Sequence, residues 1–147
     1  MVGSIAMRKG GGLATAALAA VLVLGGCAGP GAEGQRMRLE IRDGALRVAG
    51  SECGGAGSFR FIHPTADYEI VDADGTVLAH GQLPQGTAQK SFTPDFGDLA
   101  EPTSCRMEFT VDGVDDLTDL SIQFEGHPAI AILRDEGSDD LPTAVVP

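Results

Sequence analysis

Residues 36–48, RMRLEIRDGALRV, decide the fold class. Met37, Leu39 and Ile41 alternate with Arg36, Arg38, Glu40 and Arg42, the period of two expected of a strand with one buried face. Asp43-Gly44 follows, a pair favoured in the two-residue type I′ hairpin loop. A reversal there sets Ile41 opposite Leu46, Leu39 opposite Val48 and Glu40 opposite Arg47. Both apolar pairs then share one face and the ion pair takes the other, so register and pattern agree on a β-hairpin.

The same alternation continues along the chain. Cys105, Met107, Phe109 and Val111 interleave with Arg106, Glu108, Thr110 and Asp112, which predicts a strand burying its odd-numbered face. Tyr68–Val71 and Thr76–His80 flank DADG (72–75) as a second hairpin. Phe59–Phe61 start a short strand that Pro64 ends. Leu120, Ile122 and Phe124 form another inward row, and residues 129–133, AIAIL, form a final apolar strand. Residues 82–104 read as a crossover between sheets. The expectation is an all-β domain: an antiparallel β-sandwich, immunoglobulin-like or transthyretin-like, of seven or eight short strands. The chain has no tryptophan, so a true immunoglobulin domain is not expected.

The domain occupies part of the 147 residues. Residues 13–24, LATAALAAVLVL, follow Arg8-Lys9 and form a twelve-residue apolar run, the order of a secretory leader. As a helix such a run rises about 18 Å, short of the roughly 30 Å of a bilayer core. Leu24-Gly25-Gly26-Cys27 resembles a bacterial lipobox: an aliphatic residue, two small ones, then the cysteine. That resemblance implies removal of 1–26, a thioether-linked diacylglycerol on Cys27 and a fatty-acylated (palmitate-type) new terminus. Two chains anchor stably where one does not. Residues 27–35 then form a lipidated, flexible tether, 36–134 the sandwich domain, and 135–147 an acidic, proline-flanked tail expected to fray.

Three cysteines fit this plan. With Cys27 acylated, Cys53 and Cys105 remain to pair in an oxidising compartment. Neither sits in a Cys-x-x-Cys pair, which disfavours a metal. Charge points the same way about partners. The chain has 10 basic and 21 acidic residues; loss of Arg8 and Lys9 with the leader leaves 8 against 21, a net charge of −13. Such acidity disfavours nucleic acid as a partner. It also suggests a body repelled from an anionic membrane while the lipid on Cys27 holds it there, with an envelope protein as the other possible partner.

The segments YEIVDADGTVLAHGQLPQG (68–86), CRMEFTVDGV (105–114) and LSIQFEG (120–126) resemble a group of small uncharacterised actinobacterial lipoproteins. The likeness lies in an early cysteine before a glycine-rich turn, a D-x-x-G-x-V-L-x-x-G-x-L-x-x-G hairpin from Asp72, and a C-x-x-x-F-x-V strand from Cys105. It covers some sixty residues and implies a lipid-anchored, disulfide-stapled sandwich. It implies no activity.

Motifs for chemistry are sparse. GAGSFRF (55–61) lacks the second glycine of a Gly-x-Ser-x-Gly elbow. His63, His80 and His127 lie far apart in sequence and share no ligand spacing. DADG (72–75) could supply oxygens to Ca²⁺, but Asp and Gly are what a tight hairpin uses; Asp112, Asp115, Asp116 and Asp119 form a denser cluster on one loop, a weak candidate for Ca²⁺ against the simpler reading of a solvated acidic turn. Phe92 and Phe96 fall in the long connection, to plug a sheet edge or to meet a partner. No cofactor and no catalytic residue is expected. The sequence reads as a non-enzymatic envelope lipoprotein at the extracytoplasmic face of the cell membrane. The alternative is a calcium-dependent binder, or an enzyme whose site is assembled from distant loops.

Overall fold

The computed structural model describes residues 33–92, 96–134 and 141–147; the expected leader, Cys27 and the acidic run at 135–140 lie outside them. Among the described residues ten strands form: β1 Gln35–Ile41, β2 Leu46–Arg47, β3 Glu52–Cys53, β4 Asp67–Val71, β5 Val77–Gln82, β6 Gly86–Lys90, β7 Glu101–Val111, β8 Ser121–Gln123, β9 Ile130–Leu133 and β10 Thr143–Val146. They build one sheet in the order β3-β6-β7-β1-β10-β9-β8-β4-β5, with β2 also on β7, curled into a half-barrel. The class is all-β as expected, but the sheet is mixed, because β1 and β10 run parallel. The strand number is ten, not seven or eight.

The 36–48 hairpin does not form. β1 pairs instead with β7 along seven residues, from Gln35↔Val111 to Ile41↔Cys105. Inner pairs Leu39↔Met107 and Met37↔Phe109 alternate with outer pairs Glu40↔Arg106 and Arg38↔Glu108, so β7 satisfies both faces over twice the length the local hairpin offers. After Ile41 the chain carries straight on along β7 and does not turn back. Leu46 pairs Pro102 and Arg47 pairs Glu101; five residues advance on this strand while β7 advances three. Asp43-Gly44 is thus an excursion in one interrupted strand. Gly44 alone takes positive φ, 64°, whereas a type I′ turn needs it at both central residues.

Three further expectations change. Phe59 closes a short 3₁₀ turn, Gly57–Phe59, instead of opening a strand. The 82–104 connection contains β6, which pairs β3 and β7. The C-terminal tail does not fray over its last residues: β10 lies between β1 and β9, with Ala144 and Val146 buried. Its alternation in TAVV is only four residues long, and its partner β1 is over a hundred residues away, so no local signal marks it. The β4–β5 hairpin forms as read, with Asp72 Oδ1 accepting the Asp74 and Thr76 amides at 2.9 Å.

Met37, Leu39, Ile41, Ile70, Met107 and Ile122, all fully buried, line the inner face as one cluster. Each such side chain contributes about 1.5–3 kcal/mol by leaving water. At one end the sheet folds tightly on itself. Cys53 of β3 bonds Cys105 of β7 across the intervening β6, with the two Cα atoms 5.8 Å apart. In a flat sheet two strand spacings would separate them by about 9.6 Å. Gly86 of β6 sits in the fold. A Cβ there would lie 2.6 Å from Cys105 Sγ and 3.1 Å from Cys53 Sγ, so only glycine lets the bridge close over it.

Candidate functional site

The inner face of β7 begins with polar residues, Glu101 and Thr103, both buried. Here Asp43 and Arg47 form the most enclosed ion pair among the described residues. Arg47 donates through both terminal nitrogens to the Asp43 carboxylate, at 2.9 and 2.7 Å, and also to Thr103 Oγ1 and the Gly54 carbonyl. Asp43 accepts the amides of Ala45 and Ala56 at 3.1 and 2.8 Å. Burial pushes this carboxyl up, but the hydrogen bonds from Arg47, Ala45 and Ala56, with the guanidinium charge, outweigh it and hold its pKa below the usual carboxylate value. The pair ties the β1–β2 excursion to the loop after Cys53. The expected Glu40–Arg47 pair does not form, because Arg47 faces inward. Glu101, Cα partner of Arg47, is buried with no hydrogen-bond partner for either oxygen among the described residues.

A groove of about 670 Å³ runs along β4, β5 and β8. Asp67, Glu69, His80, Gln82 and Glu125 line it, with Tyr68, Gly81 and Phe124 beneath. Glu69 stands opposite His80 in one pairing and Gln123 in the other, and Gln82 donates to Asp67 at 2.9 Å. Tyr68 is buried against Phe109, ring centroids 5.1 Å apart, and its pKa is raised by burial and by the charge of Asp112. Gly81 makes room for it, since a Cβ would fall 2.7 Å from the phenol oxygen. The lining holds three carboxylates and one imidazole but no serine, threonine or cysteine. Its chemistry is that of an acceptor-rich surface for a cationic group.

The residues singled out from sequence are spread over the fold. Cys53 and Cys105 are joined as expected. Asp116 is engaged in its own turn, accepting the Thr118 amide and hydroxyl at 2.9 and 2.7 Å. These bonds from Thr118 lower its pKa. Asp112 instead lies by Gly34. The described residues contain no group of three or more His, Cys, Asp or Glu able to hold a metal. His80 lines the groove, His127 stacks on Phe61 at 3.4 Å, and His63 bonds the Pro64 carbonyl. Phe92 and Phe96 plug nothing: both are about half exposed. The Asp43–Arg47 pair escaped sequence reading although it spans only four residues, because the expected hairpin set Arg47 opposite Glu40; the groove escaped it because β4 and β8 meet only in the fold.

Among the described residues no helix is long and apolar enough to cross a membrane. No family model, curated protein or solved structure matches the chain.

Proposed function

We propose that the chain is a lipid-anchored extracytoplasmic envelope lipoprotein whose domain acts by binding or as a structural module, without catalysis. The observation that carries this reading is the Cys53–Cys105 bond. It takes two of three cysteines into the folded domain and leaves the third, Cys27, at the end of an apolar leader in lipobox context. A bridge between buried cysteines suits an oxidising compartment, the destination such a leader implies. The resemblance to small actinobacterial lipoproteins agrees, as its two cysteines are the bonded pair. The finer fold reading, an immunoglobulin-like or transthyretin-like sandwich, draws support only from the single core that the curled sheet encloses. A calcium-dependent or enzymatic role has less support, because Asp116 is engaged by Thr118 and the groove lining offers no serine, threonine or cysteine nucleophile. Mass spectrometry of the chain extracted from its native membrane tests the anchor. The expected product begins at Cys27 and carries a diacylglyceryl group; a mature chain with an unmodified terminus overturns the proposal.

A further inference from the structure

The outer face of β7 carries a second cleft, of about 440 Å³, within the roughly 300–1,000 Å³ of small-ligand sites. Its floor is Ser104, in register with Gln89 of β6 and next to Arg42, which follows β1. Thr103 and Cys105 turn inward, to Arg47 and to the disulfide, so the pleat sends Ser104 outward into the cleft. Ser104 is only 7% exposed, and among the described residues no hydrogen bond engages its hydroxyl. Arg106, which also lines the cleft, has a further unused group: its Nε is buried without an acceptor among the described residues. Buried polar groups are normally paired, so two unpaired ones at one cleft point to a ligand that pairs them.

The charges around the cleft do not favour an ion. Glu40 pairs Arg42 at 3.1 Å and Arg106 at 3.9 Å, so both guanidinium groups already have a counter-charge. Beyond Arg106 the register runs through Thr87 to Glu52, a further carboxylate that an anion would have to approach. Lys90, at the rim, has a partner as well. An anion would compete with Glu40 for the arginines, and a cation would compete with the arginines for Glu40. A hydroxyl competes with neither, since it can donate to a carboxylate and accept from a guanidinium or from Ser104. Several hydroxyls on one rigid frame would use the whole set. The cleft also has a surface for the apolar side of such a frame. Phe92 lines it and is 58% exposed, and an exposed ring presents a flat apolar face to aliphatic C–H groups. We propose that this cleft binds a neutral saccharide, with one face of a sugar ring on Phe92 and its hydroxyls on Ser104, Gln89, Arg106 and Glu40. The inference rests on the reading of the domain as an envelope binding module and names its ligand class. Val111 pairs Gln35, where the chain leaves toward Cys27, and Ser104 lies seven residues back along β7, about 23 Å away. The cleft therefore stands clear of the tethered end, open to envelope saccharides.

Saturation-transfer difference NMR tests this on the full chain in a deuterated phosphocholine detergent, which brings no sugar of its own. The probes are maltose, trehalose and diacetylchitobiose, with glucuronate and glucosamine as charged counterparts. At least one neutral probe should take up saturation at its ring C–H protons. In Phe92→Ser and in Ser104→Val that signal should fall about fivefold or more at unchanged melting temperature. Glu69→Gln, in the groove on β4, β5 and β8, should leave it unchanged. If Ser104→Val does not fold, Phe92→Ser decides, because that ring is exposed. Silence from all the neutral probes overturns the proposal. So does a signal that survives the loss of Phe92, or one that is larger for glucuronate or glucosamine than for any neutral probe. Acylation of Cys27 plays no part in this readout, so a failure here leaves the anchor to be judged separately by mass spectrometry.

Discussion

Breaking the Cys53–Cys105 bond should cost more than any single contact in the core. The bridge closes a loop with a sequence separation of 52, for which the chain-entropy model gives about 4 kcal/mol at 25 °C. It also holds β3 against β7 over Gly86, so its loss relaxes the curl there. The described domain has roughly 110 residues, for which 1 kcal/mol corresponds to about 4 °C, so Cys53→Ala should lower the melting temperature by about 15 °C. Cys105 is fully buried, and Cys105→Ala should cost slightly more through the cavity it leaves. The double variant is the decisive member. If both single changes act by opening one bond, the double should fall close to the Cys105→Ala value and not at the sum. Dithiothreitol should lower the midpoint of the unaltered domain and leave all three variants where they are. A shift under about 3 °C for Cys53→Ala, or additive losses in the double variant, would refute the staple as a main source of stability.

Other outcomes follow from single observations. Asp43→Asn should destabilise by about 3 kcal/mol, because it leaves Arg47 buried without its counter-charge. Since the folded Asp43 pKa lies below 3.8, its contribution is complete above that value and is lost as pH falls through the lower, folded one; acid titration of stability in this range should flatten in the variant. Gly86→Val places carbon into both sulfurs, and a free-thiol assay should find two reactive thiols or an insoluble chain. Glu101→Met removes an unpartnered buried carboxylate and should raise the unfolding free energy by about 1 kcal/mol or more, measured by urea titration; a drop would show that Glu101 has a partner. Calcium at millimolar concentration should leave the melting midpoint unmoved, whereas a rise by mass action would restore the acidic loop as a site.

The sequence carried the faces of the strands better than their partners. Alternation in MRLEI and CRMEFTV placed Met37, Leu39, Cys105 and Met107 on the inner face, where all four lie. That signal is local, set by the pleat. Pairing is not local, and Asp43-Gly44 shows the consequence. The dipeptide suits a hairpin, but the competing partner β7 offers seven matched residues, and its length prevails over turn propensity. Gln82–Ser104 hid β6 because GTAQK has little apolar content; only Gly86 and Ala88 of that strand are buried. Cysteine number and context exposed the disulfide, since two thiols left over in a chain with the order of a secretory leader are expected to pair. The outer ion pairs between β1 and β7 could not be read at all. They arise from register, where Arg38 meets Glu108 and Glu40 meets Arg106, and register depends on a partner about seventy residues away.

That dependence also bears on how the chain reaches its place. β1 is held on one side by β7 and on the other by β10, so the centre of the sheet joins residues near 38 to residues near 108 and 143. The first pairing cannot form until β7 is present and the second not until the last residues are, and contacts so distant in sequence make folding slow. For a protein threaded through a membrane as an unfolded chain, as the proposed lipoprotein would be, this ordering is useful. Early segments cannot close into a stable sheet before the end has emerged. Cys53 cannot meet Cys105 until β7 is across, and β6 must already lie between them for the bond to pass over Gly86. Removal of Thr143–Pro147 tests the point, because it deletes the strand that joins β1 to β9 and exposes Ala144 and Val146 positions on the core. The shortened chain should lack cooperative unfolding even with Cys53 and Cys105 oxidised; a cooperative transition would show that β1 and β7 with the disulfide suffice.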